Sequence, residues 1–134
     1  MIEETISKLF IPHLIEIRKE IAPLPGVNVD PAHLGHALLN IANNAIMAMK
    51  ANGTLTFRAY EEEGNACIEI EDTGPGIRPE EKELIFEPLY SSKPKGTGFG
   101  LPLARMLIDN NKGKIAFTSE EGQGTMFKIL IPIP

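Results

Sequence analysis

Segments with helical periodicity and segments with strand periodicity alternate along the chain, and this order constrains the fold more than any other feature. Asp30 and Pro31 are typical of a helix start, and apolar residues then recur close to every 3.6 positions up to about Lys50. Alternating apolar residues follow at 54–60 and 66–72, on either side of a polar turn. The pattern predicts a long amphipathic helix followed by an antiparallel hairpin.

The other predicted elements are shorter. They are a helix at 2–10, a half-buried strand at 14–21, a short edge strand at 27–29, helices at 79–86 and 101–110, and a closing hairpin around Gly122 and Gly124. Helices therefore alternate with hairpins, which predicts an α+β fold with helices on one face of a mostly antiparallel sheet. With 134 residues, the chain is expected to form a single domain over 1–134.

Composition and charge exclude several classes of function. The formal net charge of −5 argues against a general nucleic-acid or anionic-membrane surface, so neither nucleic acid nor direct membrane contact is expected. The single cysteine, Cys67, excludes a disulfide framework and fits a reducing setting. No apolar run reaches membrane-spanning length, and acidic residues stand where a signal peptide carries bases. A cytoplasmic domain is therefore expected.

The stretch NIANNA places two amides on one flank of the long helix. Asn40 and Asn44 are one helical turn apart, whereas Asn43 points about 100° away from Asn44. Asparagine is unfavourable inside a helix, and two asparagines on a half-buried face need polar partners. The partner is either a loop or buried water, or a hard cation such as Mg²⁺, which binds through few protein oxygens together with phosphates.

The stretch IEIEDTGPGI directs a carboxylate toward the interior. Asp72 is in phase with Ile68 and Ile70, so its carboxylate faces the same side of the strand as these apolar residues. A buried carboxylate costs roughly several kcal/mol unless a donor pairs with it. One interpretation is an Asx turn that caps the loop TGPG. The other is the exocyclic amine of a bound base, with Gly74 and Gly76 allowing the base to approach the backbone.

The stretch SSKPKGTGFGLPLARM combines glycines and lysines immediately before a predicted helix. Gly96, Gly98 and Gly100 free backbone N–H groups near the helix N-terminus, which is typical of an anion site. Lys93 and Lys95 add positive charge. The alternative is a solvated surface loop, which gives no reason for alternate glycines beside an apolar helix. The spacing fits neither a dinucleotide fingerprint nor a phosphate loop of the GxxxxGK[ST] type.

These three features together predict a pocket for a Mg-nucleotide. The amide pair suits Mg²⁺, the inward carboxylate suits a base, and the basic glycine-rich segment suits phosphates. The pocket would lie between the long helix and the sheet, with residues 87–100 as its lid, because long irregular segments in compact domains are usually functional or disordered.

Four motifs resemble, in order and spacing, the sequence boxes of one known family. NIANNA, DTGPGI, FEPLYSSKPKGTGFGL and GQGTMF resemble the N box, the F box and the three glycine boxes of sensor histidine kinase catalytic domains. This family belongs to the superfamily of gyrase-type, heat-shock-chaperone, histidine kinase and mismatch-repair ATPases. The resemblance extends from about Leu24 to the C-terminus. It implies a two-layer α/β sandwich of the Bergerat type, with helices on one face of a mixed, mostly antiparallel sheet.

The same resemblance implies ATP and Mg²⁺ as ligands and roles for individual residues. Asn44 would bind Mg²⁺ with Asn40 beside it, and Asp72 would accept a hydrogen bond from the adenine amine. Lys93 would act with the two asparagines in catalysis. The further nucleotide contacts that the resemblance implies are Gly74, Gly76 and Ile77 in the adenine loop, Phe86 and Tyr90 bracing the lid, Ser91, Ser92, Lys93, Lys95, Gly96, Thr97, Gly98, Phe99, Gly100 and Leu101 along the lid and the helix start, and Thr125 at the base side.

Two positions depart from the family pattern. Met47 stands where many members have a basic residue or histidine, so phosphate charge would come from Lys50 or from the lid. Pro102 stands in the first turn of the helix after the lid, where a serine is frequent. Proline is tolerated there because no ladder N–H is lost, but one possible phosphate donor is removed.

The first position of the N box argues for phosphate transfer over hydrolysis. The ATPases that this chain resembles carry a glutamate at that position, and the glutamate activates water. This chain has Asn40 there instead. An amide cannot act as a general base. The expected activity is transfer of the ATP γ-phosphate to a histidine. The alternatives are a nucleotide-switched protein-binding module of the anti-sigma or pseudokinase kind, and a gyrase- or mismatch-repair-type ATPase.

The acceptor histidine is expected outside these residues. His13 follows a proline and enters a strand pattern, and His33 and His36 lie in the first turns of the long helix. His13 therefore lacks the helical context of the family's acceptor, and a solvated position or a helix-end contact is expected for all three histidines. The expected partners are therefore a histidine-bearing dimerisation hairpin of the parent chain, absent from this sequence, and a cognate response regulator.

Overall fold

The computed structural model describes residues 2–50, 52–88 and 100–134. Its helices are α1 (Ile2–Lys8), α2 (Pro31–Met49) and α3 (Gly100–Asn110), and a single 3₁₀ turn spans Pro79–Glu81. Its strands are β1 (Leu14–Ile21), β2 (Asn52–Glu62), β3 (Asn65–Asp72), β4 (Lys114–Glu120) and β5 (Gly124–Pro132). In this part of the chain, no helix has the length and apolar character needed to cross a membrane.

The described strands form one sheet in the order β1-β2-β3-β5-β4. β1 pairs with β2 in parallel, and α2 provides the crossover between them that parallel pairing needs. The other three pairs are antiparallel. The predicted α+β fold, with helices on one side of a mixed and mostly antiparallel sheet, is therefore confirmed.

Local sequence explains where α2 begins and ends. The side chain of Asp30 accepts hydrogen bonds from the N–H groups of Ala32 and His33, and Pro31 occupies the first turn. At the other end, Lys50 adopts a left-handed conformation with φ of 53° and donates its N–H to the carbonyl of Met47. The helix start and end that the sequence predicts are thus confirmed.

The hydrophobic core lies between α2 and the inner face of the sheet. α2 contributes apolar residues at helical spacing, and the strands contribute every second residue. Asn40 and Asn44 lie beside this apolar stripe and are half-buried, whereas Asn43 is exposed, as predicted. The most deeply buried large side chains are Leu38, Ile41, Leu55, Phe57, Ile70, Ile108, Phe127, Ile129 and Ile131.

The predictions for two elements, the strand at 27–29 and the helix at 79–86, were wrong. Residues 27–29 form no strand, and the β1–β2 ladder ends at Ile21. Pro23 and Pro25 follow directly and have no N–H to continue a ladder. The predicted helix at 79–86 is instead a 3₁₀ turn followed by further turns. The segment has only eight residues, and helices of this length are marginal without an apolar face that packs on the core.

Asn111, just after α3, joins the two long helices. Its amide oxygen accepts the N–H of Asp30 at 2.8 Å, and its amide nitrogen donates to the carbonyl of Leu107 at 2.8 Å. The same nitrogen lies 3.1 Å from Nδ1 of His33. Because one side chain satisfies groups from both helices, it fixes the N-terminus of α2 against the C-terminus of α3.

We expect Asn111→Ala to lower the free energy of unfolding by about 1 to 3 kcal/mol, because it leaves partly buried polar groups without their partner. Urea unfolding followed by circular dichroism measures this change. Asn110→Ala is the matched control, since Asn110 is the exposed last residue of α3. Equal effects of the two substitutions would contradict the assignment.

Candidate functional site

Asp72 is the last residue of β3, and its side chain lies on the inner face of the sheet, where the residue is only 5% exposed. Its Oδ1 accepts the N–H of Gly74 at 2.8 Å and the N–H of Thr125 at 3.3 Å. The predicted inward direction is confirmed, and so is the Asx turn onto the following loop. These two donors orient the carboxylate and offset part of the cost of its burial.

A chain of hydrogen bonds ties the loop after β3 to the β4–β5 hairpin. The N–H of Ile77 donates to the hydroxyl of Ser119 at 2.8 Å, and that hydroxyl lies 2.9 Å from the hydroxyl of Thr125. The N–H of Gly122 donates to the carbonyl of Pro75 at 2.6 Å. The loop 73–78 is therefore held against the hairpin.

Gly76 is required by this close approach within the protein. Its φ is +75°, and a Cβ there would clash with the carbonyl oxygen of Glu120. At Gly74, a Cβ would lie 3.0 Å from Oδ1 of Asp72. The two glycines that the sequence singles out thus lie on the loop that follows Asp72, and at least Gly76 is fixed by packing of the fold itself.

A row of three residues on α2 leads to the same loop. Asn40, Asn44 and Ala48 are spaced one turn apart, so they share one flank of the helix. The Cβ of Ala48 lies 3.5 Å from the position that a Cβ on Gly74 would occupy. The flank of α2 that carries Asn40 and Asn44 therefore meets the Asp72 loop at Ala48, near the C-terminal end of the helix.

The amide nitrogen of Asn40 is buried and has no hydrogen-bond partner among the residues that the structure describes. A buried donor of this kind costs free energy until a water or a ligand oxygen pairs with it. In this part of the chain, no group of three or more histidine, cysteine or acidic side chains could hold a metal. The side-chain oxygens of Asn40 and Asn44 are ligands of the kind that Mg²⁺ accepts, since this ion takes few protein oxygens and keeps phosphate or water ligands.

Phe86 belongs to an aromatic cluster formed by Phe86, Phe117 and Phe127. Its ring centroid is 6.0 Å from that of Phe117 and 6.3 Å from that of Phe127. The guanidinium of Arg105, on α3, lies 5.1 Å from the Phe86 ring centroid. Leu101, in the first turn of α3, also packs against the core. Two predicted site residues, one before the lid and one after it, are therefore anchored in the fold.

Several predicted site residues lie outside the described part of the chain. Of the predicted lid at 87–100, the described residues are Glu87, Pro88 and Gly100, and Gly100 opens α3. The site residues that fall outside are Tyr90, Ser91, Ser92, Lys93, Lys95, Gly96, Thr97, Gly98 and Phe99.

The two departures from the family pattern lie on the surface or near it. Met47 is 40% exposed on α2, and Lys50 is exposed at the end of that helix. Pro102 is half-buried in the first turn of α3.

The opposite face of the sheet carries an ion-pair network. Arg58 lies 2.7 Å from a carboxylate oxygen of Glu71 and 3.1 Å from one of Glu20, and these contacts raise the pKa of Arg58. Burial, followed by a hydrogen bond to Glu69, raises the pKa of the Tyr60 hydroxyl. These charged groups lie on the face of the sheet away from the inward-facing carboxylate.

Sequence reasoning missed Ser119 and Lys82. Ser119 is buried on the inner side of β4, and Nζ of Lys82 donates to its backbone carbonyl at 2.8 Å. The available signal was phase, because Ser119 stands two residues after Phe117 and shortly before the motif GQGTMF. A hydroxyl in strand phase with core residues indicates a buried polar contact.

Comparison with known proteins identifies relatives of this arrangement. The family model described as "Histidine kinase-, DNA gyrase B-, and HSP90-like ATPase" matches residues 29–134. The chain is 36% identical, over 141 aligned residues, to the sensory histidine kinase/phosphatase NtrB of Escherichia coli O157:H7. That alignment covers 96% of this chain and 40% of NtrB, so the chain spans less than half of this relative.

Two solved structures are similar to most of this chain. The catalytic domain of the histidine kinase ThkA, in a nucleotide-free form, matches with a TM-score of 0.80 and 32% identity. The match covers 97% of this chain and 84% of that chain. Full-length ShkA in complex with AMPPNP matches with a TM-score of 0.79 and 32% identity, covering 88% of this chain and 25% of ShkA.

Proposed function

The chain belongs to the histidine kinase-, DNA gyrase B- and HSP90-like ATPase family, and we propose that it transfers the γ-phosphate of Mg·ATP to a histidine. It is a catalytic ATP-binding domain of the sensor histidine kinase type. The acceptor histidine would lie on a separate dimerisation hairpin. The observation that carries this proposal is the Asp72 carboxylate, which points inward beside Thr125. The loop that follows it meets α2 at Ala48, on the flank that also carries Asn40 and Asn44.

The sheet side of the site suits the adenine base. A carboxylate oriented by two backbone donors presents acceptors to an exocyclic amine. Gly74, Gly76 and Ile77 shape the loop beside it, and Thr125 closes the other side. Full-length ShkA, which matches most of this chain, was solved in complex with AMPPNP, and this supports a nucleotide as the ligand.

The helix side of the site suits the phosphates and Mg²⁺. The amide oxygen of Asn44 would hold the ion, and the buried donor of Asn40 would pair with water or a phosphate oxygen. A bound Mg²⁺ supplies neutralisation of phosphate charge during in-line transfer. Contacts from Tyr90, Ser91, Ser92, Lys93, Lys95, Gly96, Thr97, Gly98 and Phe99 stay predictions.

Transfer to histidine is favoured over hydrolysis because the first α2 position of the site is an amide. Asn40 cannot take a proton from water, whereas a histidine nitrogen is itself a nucleophile. His13 is exposed ahead of β1, His36 is exposed near the start of α2, and His33 contacts Asn111. We place the acceptor on another segment of the parent protein, and its phosphohistidine would pass the phosphate to a response regulator in the cytoplasm.

The adenine role predicts that Asp72→Asn weakens ATP binding by roughly 10- to 100-fold, because the substituted amide turns a donor toward the base amine. Its oxygen can still accept both backbone N–H groups, so unfolding should stay cooperative. Calorimetric titration with ATP measures the affinity. Glu71→Gln, one residue earlier on the outer face, is the matched control; an unchanged affinity in Asp72→Asn would remove Asp72 from this role.

The metal role predicts that Asn44→Ala reduces the gain in ATP affinity that Mg²⁺ provides by about 10-fold. Titrations with ATP, in the presence of Mg²⁺ and of EDTA, measure that gain. Asn43→Ala, on the exposed side of the same helix, should behave as the unsubstituted chain. If Asn44→Ala retained the full Mg²⁺ effect, the metal assignment would be wrong.

The activity itself predicts acid-labile, alkali-stable label on the hairpin when γ-labelled Mg·ATP and the hairpin of the parent protein are added to this chain. Phosphohistidine has this stability, and Asn44→Ala should suppress the label. ATP binding without any label on a folded hairpin would instead indicate a nucleotide-switched binding module. Release of free phosphate without label would indicate an ATPase.

A further inference from the structure

The Ser119 hydroxyl lies among three partners on the inner side of β4. It is 2.8 Å from the N–H nitrogen of Ile77, 3.1 Å from the carbonyl oxygen of Gly124 and 2.9 Å from the hydroxyl oxygen of Thr125. Ser119 is buried, so these contacts are its local partners in the described part of the chain.

Proton counting assigns the direction of each bond. The backbone N–H of Ile77 can only donate, and the carbonyl of Gly124 can only accept. The single hydroxyl proton of Ser119 therefore goes to Gly124. The remaining contact is satisfied only if the hydroxyl of Thr125 donates to Ser119. In this arrangement Ser119 donates one bond and accepts two.

The consequence for Thr125 is a hydroxyl that has no proton left to offer. Its oxygen keeps acceptor capacity alone. Thr125 and Ser119 are directly paired in register, and the backbone N–H of Thr125 donates to the Asp72 carboxylate. Both side-chain groups at the strand ends, the hydroxyl and the carboxylate, therefore present acceptors on the inner face.

We propose that Ser119 is a positioning residue that fixes the Thr125 hydroxyl as an acceptor and thereby favours a 6-amino purine over a 6-oxo purine. This inference rests on the proposed adenine role of Asp72. An amine at position 6 donates to such acceptors, whereas a carbonyl there meets lone pairs. Without Ser119, the Thr125 hydroxyl could rotate and donate to the 6-oxo group.

Binding of ATP and inosine triphosphate tests the inference, because these nucleotides differ at position 6 and in the N1 proton. We expect Ser119→Ala to reduce the preference for ATP over inosine triphosphate by about 3- to 10-fold. Thr125→Val removes the hydroxyl on which Ser119 acts. In the T125V background, Ser119→Ala should therefore leave the nucleotide preference unchanged.

The outcomes separate positioning from a structural role. Equal loss of affinity for both nucleotides in Ser119→Ala would overturn the inference, as would the same change of preference in both backgrounds. If the unsubstituted chain bound neither nucleotide, the proposed function would fail as well. If it bound ATP and Ser119→Ala kept the preference, only the role of Ser119 would fail.

Thermal unfolding establishes that each variant folds cooperatively. If Ser119→Ala does not, Ser119→Cys takes its place in the same cycle, because a thiol is close to the hydroxyl in size but is a weak donor and acceptor. Ser119→Thr retains the hydroxyl and should preserve the preference for ATP. Loss of the preference in Ser119→Thr, with cooperative unfolding, would contradict the hydroxyl's role.

Discussion

The site depends on the hydrogen bonds that the buried carboxylate of Asp72 accepts. A carboxylate at this depth requires donors, and it takes them from Gly74 on its own loop and from Thr125 on the β4–β5 hairpin. Satisfying one charge therefore fixes the end of β3, the start of β5 and the path of the loop that meets α2. The base side of the pocket follows from this electrostatic requirement.

The helix side is positioned by different forces. α2 is held by apolar packing on the sheet and by the amide of Asn111, which also binds the end of α3. The aromatic cluster and Arg105 hold the chain before and after the predicted lid. The base side of the site is thus positioned by the hydrogen bonds of a buried carboxylate. The helix side is positioned by packing and by the hydrogen bonds of Asn111.

Local patterns in the sequence predicted much of this arrangement. The facing of Asp72 followed from strand phase, and the flank shared by Asn40 and Asn44 followed from helix spacing. Strand phase with Phe117 indicated that Ser119 is buried, but its contact with the N–H of Ile77 could not be predicted, because the two residues are 42 positions apart. The strand expected at 27–29 failed because neighbouring prolines interrupt the ladder. The predicted roles in the lid lie outside the described residues.

The contact between Asp72 and Thr125 has a consequence for folding kinetics. The two residues are separated by 53 positions, so the base end of the pocket closes only when distant parts of the chain have met. Contacts of this kind slow folding, since chain entropy is lost before the contact forms. A nucleotide that binds only the completed pocket would therefore stabilise the native state by mass action and slow its unfolding.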